Sequence, residues 1–170
     1  MNKISIQYYK SPVGEILLGS YKGKLCIADW QYRRMCTTID IRIQKGLKAE
    51  YAEESSAVID ETIVQMKEYF DGKRKTFDVP LLMVGRDFQR SVWEGLIKIP
   101  YGTTASYLEL SKNIGNEKAV RAVASANGAN SISIMIPCHR IIGSNGDLAG
   151  YAGGLPAKKK LLELESNLFT

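Results

Sequence analysis

Along the first thirty residues the apolar positions alternate with polar ones. Ile4, Ile6 and Tyr8 fall on every second residue, the pattern of a half-buried strand. Ser11-Pro12-Val13-Gly14 has the composition of a turn. Ile16 to Tyr21 then predicts a second strand, Lys22-Gly23 a second turn, and Leu25 to Trp30 a third strand. The connection that follows is polar and holds Arg33, Arg34 and Cys36. Over Ser56 to Asp71 the period changes: Ile59, Ile63, Met66 and Phe70 recur at helical spacing, and Gly72 is a suitable stop. Phe77 to Leu82 reads as a short strand or extended linker with Pro80 near its end. Residues 83–87 read as a boundary between a domain over 1–82 and another over 83–170.

The second part is patterned mostly as helices. Phe88 to Ile97 puts Phe88, Val92, Trp93 and Leu96 on one face, and Pro100-Tyr101-Gly102 interrupts it. Ser106 to Glu109 has the Ser-x-x-Glu form of a capping box and opens a short helix. Gly115 ends that helix, and Asn116 is placed to cap the next, Glu117 to Asn127, before Gly128. Two short helices joined through a glycine turn have helix-turn-helix form. The second of them is unusual. Ala119, Val120, Ala122, Val123, Ala124 and Ala126 are small, and Arg121 stands among them as the single long cation. A helix that reads base edges carries several long polar side chains. This one suits close approach to a groove without sequence preference, with Arg121 as a probe.

Composition narrows the class without deciding it. The net charge of +5 permits nucleic-acid binding but does not require it. No apolar run is long enough to cross a bilayer, and no signal-peptide block follows Met1, so a soluble intracellular protein is expected. Three cysteines at wide spacing, Cys26, Cys36 and Cys138, make no disulfide framework. One histidine and no Cys-x-x-Cys argue against a metal site. Cys26 reads as a small buried hydrophobe and Cys36 as a bystander thiol.

The chemistry concentrates at Ile132 to Arg140. An apolar segment, patterned as a strand, ends at Pro137, and Cys138 and the only histidine, His139, follow directly. The thiolate is the nucleophilic form of cysteine, and an imidazole can take the proton directly or through one water. Adjacent strand residues point to opposite faces, so a water bridge or a bend is favoured over direct contact. Gly143, Gly146, Gly150, Gly153 and Gly154 then form a loop whose backbone can approach a flat ligand. A last helix begins at Pro156. Lys158, Lys159 and Lys160 read as a solvated run, Leu161, Leu162, Leu164 and Leu168 as its apolar positions, and Glu165 as a candidate partner for His139.

At this point the sequence resembles the O6-alkylguanine-DNA alkyltransferases (methylated-DNA–protein-cysteine methyltransferases). The likeness is strongest over 69–165 and rests first on Pro137-Cys138-His139-Arg140 preceded by Ile134-Met135-Ile136. Supporting segments lie in order: Tyr69-Phe70-Asp71-Gly72-Lys73, Phe77 with Pro80-Leu81, Phe88-Gln89 with Val92-Trp93, Pro100-Tyr101-Gly102-Thr103 with Ser106-Tyr107, and Tyr151-Ala152-Gly153-Gly154.

The resemblance implies a small N-terminal RNase H-like α/β domain and a mostly helical C-terminal domain with a winged-helix-like helix-turn-helix. It implies that Cys138 accepts an alkyl group from O6 of guanine, or O4 of thymine, in double-stranded DNA and is spent in one turnover. His139 would activate the thiol through a water and Glu165 would orient His139. Asn130 would bridge the helix-turn-helix to the active-site turn. Arg121 would fill the gap left by a flipped nucleotide, with Ala119, Ala122, Ser125 and Gly128 against the minor groove. Tyr107 would crowd a phosphate and hydrogen-bond the flipped base. The carbonyls of Cys138 and Ile141 would accept from the guanine amine, and Ser133, Pro137, Tyr151, Ala152 and Gly153 would line the pocket. No cofactor, metal or membrane is implied, and a monomer in the cytoplasm (the nucleus in a eukaryote) is expected. Two positions depart from the resemblance: Ser131 stands where the family often has proline, and Ser133 stands where forms sensitive to O6-benzylguanine usually have proline, which implies weak inactivation by that compound. A non-catalytic lesion sensor of the same fold would lack Cys138, which is present. A cysteine hydrolase would turn over repeatedly.

Overall fold

The computed structural model describes residues 2–31, 36–143, 146, 148 and 150–166, with Cys36 described by its backbone alone. Arg33, Arg34, the Cys36 thiol and Leu168 therefore lie outside the described residues. The chain divides into two compact units, Met1–Gly85 and Arg86–Thr170.

In the first unit, strands β1 (Lys3–Ser11), β2 (Gly14–Tyr21) and β3 (Lys24–Trp30) form the expected meander. The β1–β2 register runs from Ser5 opposite Ser20 to Ser11 opposite Gly14. Two elements were not foreseen. Helix α1 (Cys36–Leu47) crosses over to β4 (Glu50–Glu53), which pairs parallel to β1 and completes a sheet of order β3-β2-β1-β4. A parallel neighbour requires such a crossover. The apolar residues of α1 explain why it was missed. Ile39, Ile41 and Ile43 alternate as a strand would, yet on a helix only Ile39 and Ile43 share a face. Both are buried, while Ile41 is 49% exposed. They pack with Ile4, Ile6, Cys26 and Ile27. Tyr8, patterned with Ile4 and Ile6, is instead exposed. Helix α2 (Ala57–Phe70) is capped by Ser56 and buries Ile59 and Met66. The segment near Pro80 is extended and bridges β3 at one point, Leu25 opposite Leu81.

In the second unit, α3 (Asp87–Ile97) buries Val92, Trp93 and Leu96, and the Trp93 indole donates to the Ala126 carbonyl at 2.8 Å. Helix α4 (Tyr107–Asn113) opens with the expected capping box: Ser106 and Glu109 exchange hydrogen bonds of 3.0 Å each. Gly95 lets α3 and α4 approach closely, since a Cβ there would meet an Ile114 methyl at 2.8 Å. Helix α5 (Val120–Gly128) starts later than expected. Asn116 does not cap it; its carbonyl accepts from Ala119 N–H at 3.1 Å, closing a turn that takes up Glu117 and Lys118. Helix α6 (Leu155–Ser166) follows the glycine loop. Among the described residues no helix is long and apolar enough to cross a membrane.

Candidate active site

The segment before Cys138 is a compact turn, which corrects the strand expected there. Ile136 N–H donates to the Ile132 carbonyl at 3.0 Å and Met135 N–H to the Ser133 carbonyl at 2.9 Å, while Ile134 takes a left-handed φ of 72°. A β-branched residue is strained in that region, so something must hold the turn. Asn130 does. Its amide nitrogen lies 3.3 Å from the Ile132 carbonyl, 3.0 Å from the Ile136 carbonyl and 3.3 Å from Cys138 Sγ. Its amide oxygen accepts from Ile132 N–H at 3.0 Å. The mostly apolar run Ile132–Ile136 thus cannot extend, because Asn130 draws both of its ends together. The same amide offers the sulfur a hydrogen bond that favours thiolate.

Pro137 then leads into a single turn of 3-10 helix, Cys138–Arg140, all of it buried. The bend places the three side chains in different directions, which a strand would not. His139 is fully buried, and its Nε2 lies 2.7 Å from Glu165 Oε2. Arg140 grips the same carboxylate with two hydrogen bonds, Nε to Oε1 at 2.8 Å and Nη2 to Oε2 at 3.1 Å. Its third nitrogen donates to the Ile99 carbonyl at 2.7 Å.

Two tendencies oppose each other in this cluster. Burial, the largest effect on Glu165, pushes its pKa up, but the hydrogen bonds from His139 and Arg140 prevail and hold it at about 2. His139 is lowered, burial outweighing the attraction of Glu165. Both fit one arrangement: Arg140 is the charged partner of Glu165, and His139 is a neutral imidazole donating Nε2–H to it. The other ring nitrogen, Nδ1, is buried with no hydrogen-bond partner among the described residues. It carries a lone pair, as a proton acceptor requires.

Lys158 departs from the expected solvated run. Lys159 and Lys160 are exposed, but Lys158 is fully buried. Its ammonium donates to the Ile141 carbonyl and, at 3.4 Å, to that of Gly150. Burial lowers its pKa to about 8, and the nearby Cys138 thiol partly offsets that shift. Sequence reasoning missed Lys158 and Arg140. The signal for Lys158 was available: positions 158, 161 and 165 share a helical face with buried Leu161 and Glu165.

Of the remaining expected residues, Tyr107 is half-buried. Burial raises its pKa most, Asn127 opposes that, and Cys138 adds to it. Tyr151 meets the His139 ring edge-on with centroids 6.4 Å apart. Ile141, Pro137, Gly153 and Ser133 are buried, and the Ser133 hydroxyl has no hydrogen-bond partner among the described residues. Ala152 is half-buried. On α5, Arg121, Ala122 and Ser125 are exposed along one face, with Ala119 and Gly128 intermediate. A cavity of about 660 Å³ between α3 and α4 is lined by Glu94, Lys98 and Glu109 but not by Cys138, His139 or Glu165. Among the described residues no group of three or more metal-ligating side chains gathers.

Comparison with known proteins adds the following. Residues 4–83 match the family described as 6-O-methylguanine DNA methyltransferase, ribonuclease-like domain, and residues 87–167 its DNA binding domain. The chain is 43% identical over 160 residues to the methylated-DNA–protein-cysteine methyltransferase of Methanosarcina acetivorans, covering 94% of this chain and 96% of that one. It is 52% identical over 103 residues to the protein of that name from Mycobacterium tuberculosis, covering 61% of this chain and 62% of the other. The crystal structure of Mycobacterium tuberculosis OGT in complex with DNA is similar with a TM-score of 0.81 and 35% identity, over 98% of this chain and 94% of that one.

Proposed function

This chain belongs to the 6-O-methylguanine DNA methyltransferase family, and on that premise we propose that it repairs DNA by moving an alkyl group from O6 of guanine, or O4 of thymine, onto its own Cys138. The observation that carries the proposal is the linked set Asn130–Cys138 and His139–Glu165–Arg140 around one buried thiol. Glu165 fixes the proton of His139 on Nε2. Nδ1 then takes the thiol proton through an intervening water, and the imidazolium so formed is stabilised by the carboxylate beside it. Asn130 and the Lys158 ammonium favour the sulfur anion. The anion attacks the alkyl carbon, the carbon–oxygen bond breaks, and guanine departs. The thioether has no easy route back to a thiol, so each chain acts once.

The reacting atom is hidden inside a duplex, so the base must leave the stack at a cost of a few kcal/mol. The exposed face of α5 is the surface assigned to the minor groove. Its small side chains Ala119, Ala122, Ser125 and Gly128 permit close approach, and Arg121 enters the space the nucleotide vacates. Tyr107 hydrogen-bonds the flipped base, the carbonyls of Cys138 and Ile141 accept from its amine, and Ser133, Pro137, Tyr151, Ala152 and Gly153 complete the pocket. The protein acts as a monomer in the compartment that holds the chromosome, the cytoplasm in a bacterium or archaeon. Intact-mass measurement after incubation with O6-methylguanine DNA tests this. One added CH2, mapped to Cys138, at one equivalent and absent from Cys138→Ala, is the expected result. Product release with continued turnover refutes it.

A further inference from the structure

Helix α5 turns Val123, Ala126 and Asn127 inward, and all three are buried. The first two are apolar; the third is a primary amide only 7% exposed. Its oxygen is fully buried with no hydrogen-bond partner among the described residues. Leaving such an oxygen unpaired disfavours the fold, and leucine would fill a similar volume without that cost. The side-chain hydrogen bond that Asn127 makes among the described residues is to Tyr107: Asn127 Nδ2 lies 3.5 Å from the phenolic oxygen, with the amide donating. Tyr107 is the first residue of α4, next to the Ser106 cap that fixes the helix start, so the phenol is anchored at its base. Because Asn127 donates to the phenolic oxygen, the phenol's own hydrogen cannot be directed at Asn127 and is left for another acceptor. Cys138 lies close enough to act electrostatically on the same phenol.

Resting on the alkyl-transfer reading above, we propose that Asn127 is a positioning residue for the reaction: its amide aims the Tyr107 hydrogen at the bound base and stabilises the phenolic oxygen as that hydrogen moves to the departing guanine. The sulfur–carbon bond forms as the carbon–oxygen bond breaks, and the electron pair goes to guanine. Tyr107 supplies the proton guanine needs and becomes a phenolate. The proton first taken from the thiol by His139 returns to that phenolate through solvent. The long Asn127–Tyr107 contact shortens as the oxygen gains charge, since a hydrogen bond to an ionised acceptor is the stronger kind.

The test is a double-mutant cycle read by single-turnover methyl transfer from duplex DNA. Asn127→Leu should transfer about tenfold more slowly, the fold-change of one ordinary hydrogen bond. Its DNA affinity and the alkylation of Cys138 by iodoacetamide should stay unchanged. In a Tyr107→Phe background, which lacks only the phenolic oxygen, the same substitution should change the rate by less than about twofold. Asn127→Asp keeps the side-chain shape but offers no donor when ionised, and should be at least as slow as Asn127→Leu; it replaces the leucine variant in the cycle if that one does not fold. A rate equal to the parent's, or a loss that persists in Tyr107→Phe, overturns the inference while the alkyl-transfer reading stands. A parent chain that takes up no methyl group overturns that reading itself.

Discussion

Replacing Glu165 by glutamine changes one atom type at the centre of the cluster, and its consequences can be worked in advance. The carboxylate is 1% exposed and accepts three hydrogen bonds, at 2.7, 2.8 and 3.1 Å, from His139 and Arg140. Burial alone would raise its pKa; the two donors hold it at about 2 instead. An unfolded glutamate titrates near ~4.3, so the ionised form is favoured in the folded chain by a little over two pKa units, or about 3 kcal/mol. Glutamine mimics the neutral carboxyl and forfeits that amount while leaving Arg140 buried without its counter-charge. The loss agrees with the ~3–5 kcal/mol typical of breaking a buried pair. Since the folded pKa is depressed, the contribution is fully present above the unfolded value and is lost as pH falls through the folded one. His139 is depressed too, by burial, so both proteins also weaken as pH drops below ~6.5, where the unfolded histidine binds a proton that the folded one refuses. Only the parent has the second decline, between about pH 4 and 2. Urea unfolding followed by Trp93 fluorescence in a Trp30→Phe background reports the second unit alone, because the two tryptophans lie in different units. The expected gap at pH 7 is about 3 kcal/mol, closing in acid, with transfer slowed by about 100-fold through loss of the oriented base. A gap below about 1 kcal/mol, or one that persists at low pH, refutes this account of the cluster.

Two further outcomes follow from other parts of the site. Arg121→Ala should slow repair of duplex DNA by at least about tenfold, the loss expected when extrusion of the base is no longer offset, yet leave transfer from a free O6-methylguanine base unchanged; equal losses on both substrates would contradict the assigned role. Lys158→Met should erase an activity advantage that the parent holds below about pH 8 and loses above it, as the ammonium beside Cys138 gives up its proton. Stability moves the other way. The folded pKa of this base lies below its unfolded value of ~10.4, so burying the ammonium costs most below the folded pKa. The parent should therefore gain stability relative to Lys158→Met as pH rises from about 8 to 10; parallel pH profiles for rate and stability would rule this out.

Much of the molecule was legible before folding was considered. The meander, the extent of α2 and the capping box of α4 are local: turn residues, side-chain caps and short-range apolar periodicity act over three or four positions, and the sequence displays those positions together. The candidate site was legible for a related reason, since Pro137, Cys138 and His139 are contiguous. Where apolar periodicity misled, hydrogen bonding or strand pairing decided the outcome. The mostly apolar run Ile132 to Ile136 is patterned as a strand, yet Asn130 ties its Ile132 and Ile136 carbonyls and the Ile132 N–H into a turn. Ile39, Ile41 and Ile43 alternate, yet their segment is wanted as a crossover between parallel strands and becomes a helix. Asn127 gave no signal at all, because the side-chain hydrogen bond it makes among the described residues is to a residue twenty positions away on another helix.

The order of residues alone determined which group can be the nucleophile and which elements flank it, since a thiol next to an imidazole behind a proline is a covalent fact. Tertiary structure decided the protonation states. Whether Glu165 is a carboxylate, whether His139 rests neutral with its free nitrogen unpaired, and how tightly Lys158 holds its proton depend on desolvation and on charges brought within a few ångströms by packing. Those quantities exist only once the chain has folded, so no reading of the line of residues could supply them.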